Sequence, residues 1–128
     1  MTITPESILR TFFSLMSDSR WDELADLYDE DAVVHHPFAD DESALLVGRE
    51  QLRRHFASFR DMGLTLRVRD VIMRPMADPA WLTCQFVYHA QIPGADHFAL
   101  PGIFVSRTNT ATELIAESYD YLGPRQQR

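Results

Sequence analysis

The apolar residues of this 128-residue chain change their spacing once, at Gly63. Before it they recur at every third or fourth position. After it they alternate, with Leu64, Leu66 and Val68 separated by Thr65, Arg67 and Arg69. The first period belongs to a helix packed on one side, the second to a strand half-buried in a sheet. The chain therefore commits its first half mainly to helices and its second half to strands. Elements segregated in this way predict a single α+β domain, in which a strongly curved antiparallel sheet packs on three N-terminal helices. Such a sheet cannot lie flush against helices at both ends, so a cavity is expected between its concave face and the helices.

The boundaries follow from capping and turn chemistry. Thr4 is suited to cap a first helix, with Pro5 at its first position and Ile8, Leu9, Phe12, Phe13, Leu15 and Met16 as its apolar side. Asp18 and Ser19 interrupt it. Ser19 is the expected cap of a second helix, with Asp22 completing a weak capping box and Trp21, Leu24, Leu27 and Tyr28 as its buried stripe. A short strand is expected over Ala32–His36, ended by Pro37, and an acidic turn from Phe38 to Ala44. Gly48 leads into a third helix whose buried side is Leu52, Phe56 and Phe59, closed by Met62-Gly63. Four strands are then expected: Leu64–Arg74, Trp81–Ile92, Phe98–Ser106 and Leu114–Leu122. An ordered core over about residues 4–123 leaves a polar tail, 124–128, expected to fray.

Composition narrows the function. With 45% hydrophobic and 24% charged residues the chain can bury an ordinary core. Its formal net charge of −7 is the wrong sign for a non-specific phosphate binder, so nucleic acid is not an expected partner. Its apolar runs fall far short of the roughly 18 residues of a membrane-spanning helix. No basic-then-apolar leader opens the sequence, so secretion is not expected. The lone Cys84 cannot form an internal disulfide and suits a reducing cytoplasm.

Three stretches carry a family resemblance: "FFSLMSDSRWDELADLYDEDAVVHHPF", "VGREQLRRHF" and "LIAESYDYLG". Together they resemble the SnoaL-like branch of the nuclear-transport-factor-2-like superfamily, which includes ketosteroid isomerase, limonene epoxide hydrolase and polyketide cyclases. The resemblance implies a cone-shaped domain of the cystatin-like kind, homodimeric, with an apolar small-molecule pocket. Residue by residue, the base of ketosteroid isomerase matches His36, its oxyanion tyrosine Phe12 and its protonated aspartate about Ile103. Two of those three groups cannot donate a hydrogen bond, and losing one such donor costs about 10²–10³ in rate, so steroid isomerisation is not expected. The last aspartate of the epoxide hydrolase set, and the pocket aspartate of the cyclases, match Asp120. The hydrolase's other two positions fall near Phe86 and Tyr88.

The resemblance thus implies cofactor-independent acid–base catalysis on a small carbonyl or polyketide-like compound. Asp120 would be the general acid–base, His36 a second proton carrier and Tyr88 an orienting donor. Phe12, Leu15, Trp21, Phe38, Phe56, Cys84, Phe86, Ile103 and Ser118 would line the pocket. Alternation within the last strand groups Ala116, Ser118, Asp120 and Leu122 on one face. The alternative is a non-catalytic module that holds a small apolar molecule or pairs with a second copy. A zinc site from His36, His89 and His97 lacks any tight ligand spacing, so no metal or cofactor is expected.

Overall fold

The computed structural model describes residues 3–127. Thr4 starts α1 (Pro5–Ser17) with a reciprocal cap: its hydroxyl accepts from the Ser7 N–H, and Ser7 Oγ accepts from the Thr4 N–H. The expected stripe is buried apart from Leu15, which is half-buried against the core.

The second helix differs from expectation. Ser19 takes a left-handed φ of 57° and caps nothing; α2 (Trp21–Leu24) begins after Arg20, whose guanidinium binds the Glu23 carboxylate. A 3₁₀ turn over Ala25–Leu27 follows, and Tyr28 opens β1 (Tyr28–His35) instead of ending a helix. Trp21, Leu24 and Tyr28 are spaced for a helix. However, the Tyr28 ring packs on Phe12 and Phe56, at 6.4 and 6.0 Å between centroids, and the chain is extended there. Tertiary packing overrides the local period.

Three residues form β2 (Leu45–Val47), which sequence reading missed; only Leu46 points inward, too short a run for alternation to register. Next come α3 (Arg49–Asp61), β3 (Thr65–Pro75), β4 (Trp81–Gln91), β5 (Phe98–Asn109), β6 (Leu114–Leu122) and β7 (Gln126–Gln127). β5 continues past the expected end at Ser106. The tail is not loose over its described part: Gln126 and Gln127 pair with Ala99 and Phe98, and the Arg125 guanidinium sits 4.2 Å above the Phe98 ring. Arg128 lies outside the described residues.

The strand order is β2-β1-β6-β5-β4-β3, with β7 on β5. Pairing is antiparallel except between β1 and β6, which run parallel with His35 beside Tyr119, so the curved sheet is mixed. Within β6 the register slips: Arg107 faces Glu117 but Thr108 faces Ile115. This bulge puts both Ile115 and Ser118 inside. Ser118 and Asp120 share a buried face, whereas Ala116 does not continue it.

The concave side is occupied by rings. Phe104 packs on Phe86, Phe12 and Phe13 at 4.6, 5.8 and 5.9 Å, and Phe86 packs on Tyr88 at 4.5 Å. Gly102 makes room for this cluster, because a Cβ there would lie 2.5 Å from the Phe86 ring and 2.9 Å from Leu122. These rings fill the space between α1 and the sheet. The open space lies at the rim.

Candidate functional site

The rim pocket holds about 850 Å³ between the C-terminal end of β6, the 36–46 segment and one side of α3. β6 delivers Asp120, which is only 8% exposed. The Ser118 hydroxyl donates to its Oδ1, leaving Oδ2 toward His36, whose Nε2 lies 3.6 Å away. Burial pushes the Asp120 carboxyl up to about 6, and the Ser118 hydrogen bond and His36 pull against that rise.

His36 follows β1 directly and is held at both ends. Its N–H donates to the Ala44 carbonyl at 2.8 Å, and its Nδ1 lies 2.7 Å from the Ser43 carbonyl. A carbonyl only accepts, so Nδ1 carries a proton and Nε2 faces the carboxylate as the exchangeable position. Ser43 is itself fixed: its N–H and hydroxyl both donate to Asp41, at 2.9 and 2.5 Å, and hold that carboxyl below its usual range.

A third group, His55 on α3, escaped sequence reading. Its ring lies 5.3 Å from that of His36 and packs on Phe59 at 4.8 Å. Burial first, and then His36, push it down to about 4. Gln51, Arg54 and Ser58 line the pocket beside it. The signal was present: Gln51, His55 and Ser58 recur at helical spacing beside the buried Leu52, Phe56 and Phe59 stripe.

Asp120, His36 and Phe38 come together at this pocket, with Phe38 72% exposed and edge-on to Tyr121. Ser118 sits directly behind Asp120. The other expected residues stand elsewhere. Phe12, Trp21, Phe56, Cys84 and Phe86 are buried in the core, and Leu15 packs at its edge. Ile103 points to the opposite, convex face and is 40% exposed. These seven do not line the opening: six belong to the core or its edge, where the rings pack against one another, and Ile103 faces away.

Tyr88 faces inward but behind the pocket. Its hydroxyl is buried with no hydrogen-bond partner among the described residues. Burial, and secondarily the Asp120 charge, hold it well above the usual phenol range. Cys84 is likewise buried, its thiol pushed up to about 11 by burial. His89 and His97 stack on each other at 5.4 Å in a different pocket from His36, so the three histidines do not gather.

A curved mixed sheet on three helices is the architecture of the nuclear-transport-factor-2-like class of cone-shaped domains, and in this chain its open rim carries a carboxyl and two imidazoles. The model of the SnoaL-like domain matches residues 9–118. The chain belongs to that family. Solved structures share the fold. A candidate isomerase from Bacillus subtilis superposes with a TM-score of 0.82 at 20% identity, covering 91% of this chain and 84% of that one. A candidate polyketide cyclase from Xanthomonas campestris gives 0.74 at 14% identity, covering 91% and 87%. A ketosteroid isomerase-like fold from Catenulispora acidiphila, bound to trimethylamine, gives 0.73 at 25% identity, covering 92% and 85%. No curated protein matches the sequence significantly. Among the described residues no helix is long and apolar enough to cross a membrane.

Proposed function

We propose that the rim pocket catalyses proton transfer on a small carbonyl or polyketide-like compound, in the manner of an isomerase or cyclase. The observation that carries this reading is the buried Asp120 carboxyl, raised to about 6, facing an imidazole Nε2 at 3.6 Å beside open space. Such a carboxyl is a stronger base than a solvated one and is still ionised at neutral pH. Asp120 Oδ2 takes a proton from the carbon beside the carbonyl, and the electron pair of the broken C–H bond moves onto the carbonyl oxygen as an enolate. The proton passes to His36 Nε2 or stays on Asp120. The proton then returns to a different carbon, giving an isomer; for ring closure the enolate carbon instead attacks a second carbonyl of the same molecule, the first carbonyl re-forms, and the second carbonyl's π pair moves onto its oxygen, which takes the proton. Neutral His55, across from His36, supplies the orienting hydrogen bond that Tyr88 was expected to give. No step requires a metal or a cofactor.

The test is hydrogen–deuterium exchange at carbon acids, followed by proton NMR over a panel of small ketones and 1,3-dicarbonyl compounds. Asp120→Asn is expected to lower exchange by about 10²–10⁴ with the melting temperature close to wild type. Exchange that survives the substitution, or loss of folding with it, removes Asp120 from catalysis.

The ring-packed interior supports a second reading, in which the pocket only holds an apolar metabolite. Native mass spectrometry would then show a co-purifying molecule that remains chemically unchanged on incubation. We place the protein in a reducing compartment such as the cytoplasm, supported by the free, buried Cys84.

A further inference from the structure

We infer a second binding site, for a small molecule bearing a phosphate-type dianion, at the opposite flank of the sheet. A concavity of about 780 Å³ lies where the start of β3 and the end of β4 meet the C-terminal end of α1. Its charged lining is basic throughout: Arg67 and Arg69 from β3, His89 from β4 and His97 from the loop before β5. Asp18, Asp70 and Asp96 neighbour it in sequence, but none lines it or pairs with these groups among the described residues.

The register explains why this is unusual. Arg67 stands directly opposite His89 across the β3–β4 pair, Arg69 lies two residues on along the same face, and His97 stacks on His89. Cationic or protonatable groups placed directly opposite one another are destabilising when both are charged. The same convex face solves that problem elsewhere: Arg107 stands opposite Glu117 and pairs with it at 3.5 Å. Arg20, Arg53 and Arg60 also have carboxylate partners. Arg67 and Arg69, like Arg10, Arg49, Arg54, Arg74 and Arg125, have no ion-pair partner among the described residues, but they alone stand two residues apart on one strand face beside two imidazoles.

The remaining lining groups are mostly donors. Ser17 and Ser19 border the same space, where the last turn of α1 contributes little negative end. Its Ser14, Leu15 and Met16 carbonyls already accept from Asp18, Arg20 and Ser19 N–H groups. Two guanidinium forks, two imidazoles and hydroxyls match an anion with three or more oxygens, which can use several donors at once. A bound anion would neutralise the two guanidinium groups that stand on one face of β3 without a carboxylate partner. The site is separate from the Asp120 pocket and does not depend on its chemistry.

The test is a titration of the whole protein with inorganic pyrophosphate, followed by amide NMR shifts at constant ionic strength, with potassium chloride as the control. Saturable shifts confined to residues 65–69 and 89–97 and to the end of α1 are expected, and chloride should not reproduce them. Exposed Arg67→Gln and Arg69→Gln, singly and together, should leave the remaining spectrum intact. The double variant should weaken binding about ten-fold or more. Arg53→Gln, on the far helix, should change nothing. Shifts that stay linear, that chloride matches, or that survive the double substitution overturn the site.

Discussion

Asp120 and His55 carry opposite consequences of the same cause, the removal of water from an ionisable side chain. Burial holds the Asp120 carboxyl up near 6, so the stability tied to its neutral form is present below its ordinary 3.8 and is lost as pH rises through about 6. Burial holds His55 down near 4, so its contribution is present above its ordinary 6.5 and is lost as pH falls through about 4. Over the acid range the unfolded chain protonates His55 while the folded chain resists. Between pH 7 and 4.5, wild type should therefore lose on the order of 2–3 kcal/mol more stability than His55→Gln. Urea unfolding at the two pH values reads this difference. Equal losses would mean that the imidazole is solvated.

The family resemblance singled out Asp120 and His36 by matching them to pocket positions, with Phe38 placed beside them in the expected pocket lining; alternation in the last strand only grouped Asp120 with Ser118. Sequence reading missed His55 because it followed only the apolar stripe of α3 and not the polar positions that flank it. It misplaced Ile103, which lies next to the inward Phe104 and so takes the opposite face.

At the scale of elements, the site depends on how β5 and β6 are built. The bulge after Ile115 lets an apolar residue and Ser118 both face inward, which brings Asp120 to the inner face at the rim. Phe104 stands opposite Asp120, and two residues along Gly102 pairs with Leu122 and lies under the Phe86 ring. Gly102→Ala must displace that ring, because the added methyl would meet it at 2.5 Å. The expected cost is about 1–3 kcal/mol by thermal or urea unfolding. A neutral substitution would show that the aromatic cluster has slack. The segment from Pro37 to Ala44 acts as a fixed strap: Asp41 holds Ser43, and the Ser43 carbonyl sets the tautomer of His36. Nothing in the local pattern of an acidic turn announces that role.

Across the whole molecule, the convex face remains largely uncovered on its β2-β1-β6-β5 side. In register, Leu45 stands beside His35, His35 beside Tyr119, and Tyr121 beside Ile103. His35 and Tyr119 stack at 4.3 Å, while Leu45 and Ile103 are 50% and 40% exposed. Leu45, Tyr119, Tyr121 and Ile103 leave partly apolar surface across four strands, and we propose that two copies of the chain pair there about a two-fold axis. Light scattering should give twice the chain mass for wild type and the single mass for Ile103→Lys. A wild-type monomer, or a dimer indifferent to the lysine, would refute that interface.

The chain's own order of residues determined α1, α3 and the four long strands of the second half, where most of them stop, and that the domain is a curved sheet on three helices, but not the start of β1 at Tyr28 nor the short β2 and β7. Those properties follow from periodicity and caps, which act over a few neighbouring residues. Only the folded arrangement decided that rings fill the cone, that residues 36, 55 and 120 converge at its rim, and that two arginines and two histidines share a patch free of acids. Such meetings join positions far apart in the chain, and they depend on how many side chains pack at once, which no short window of sequence contains.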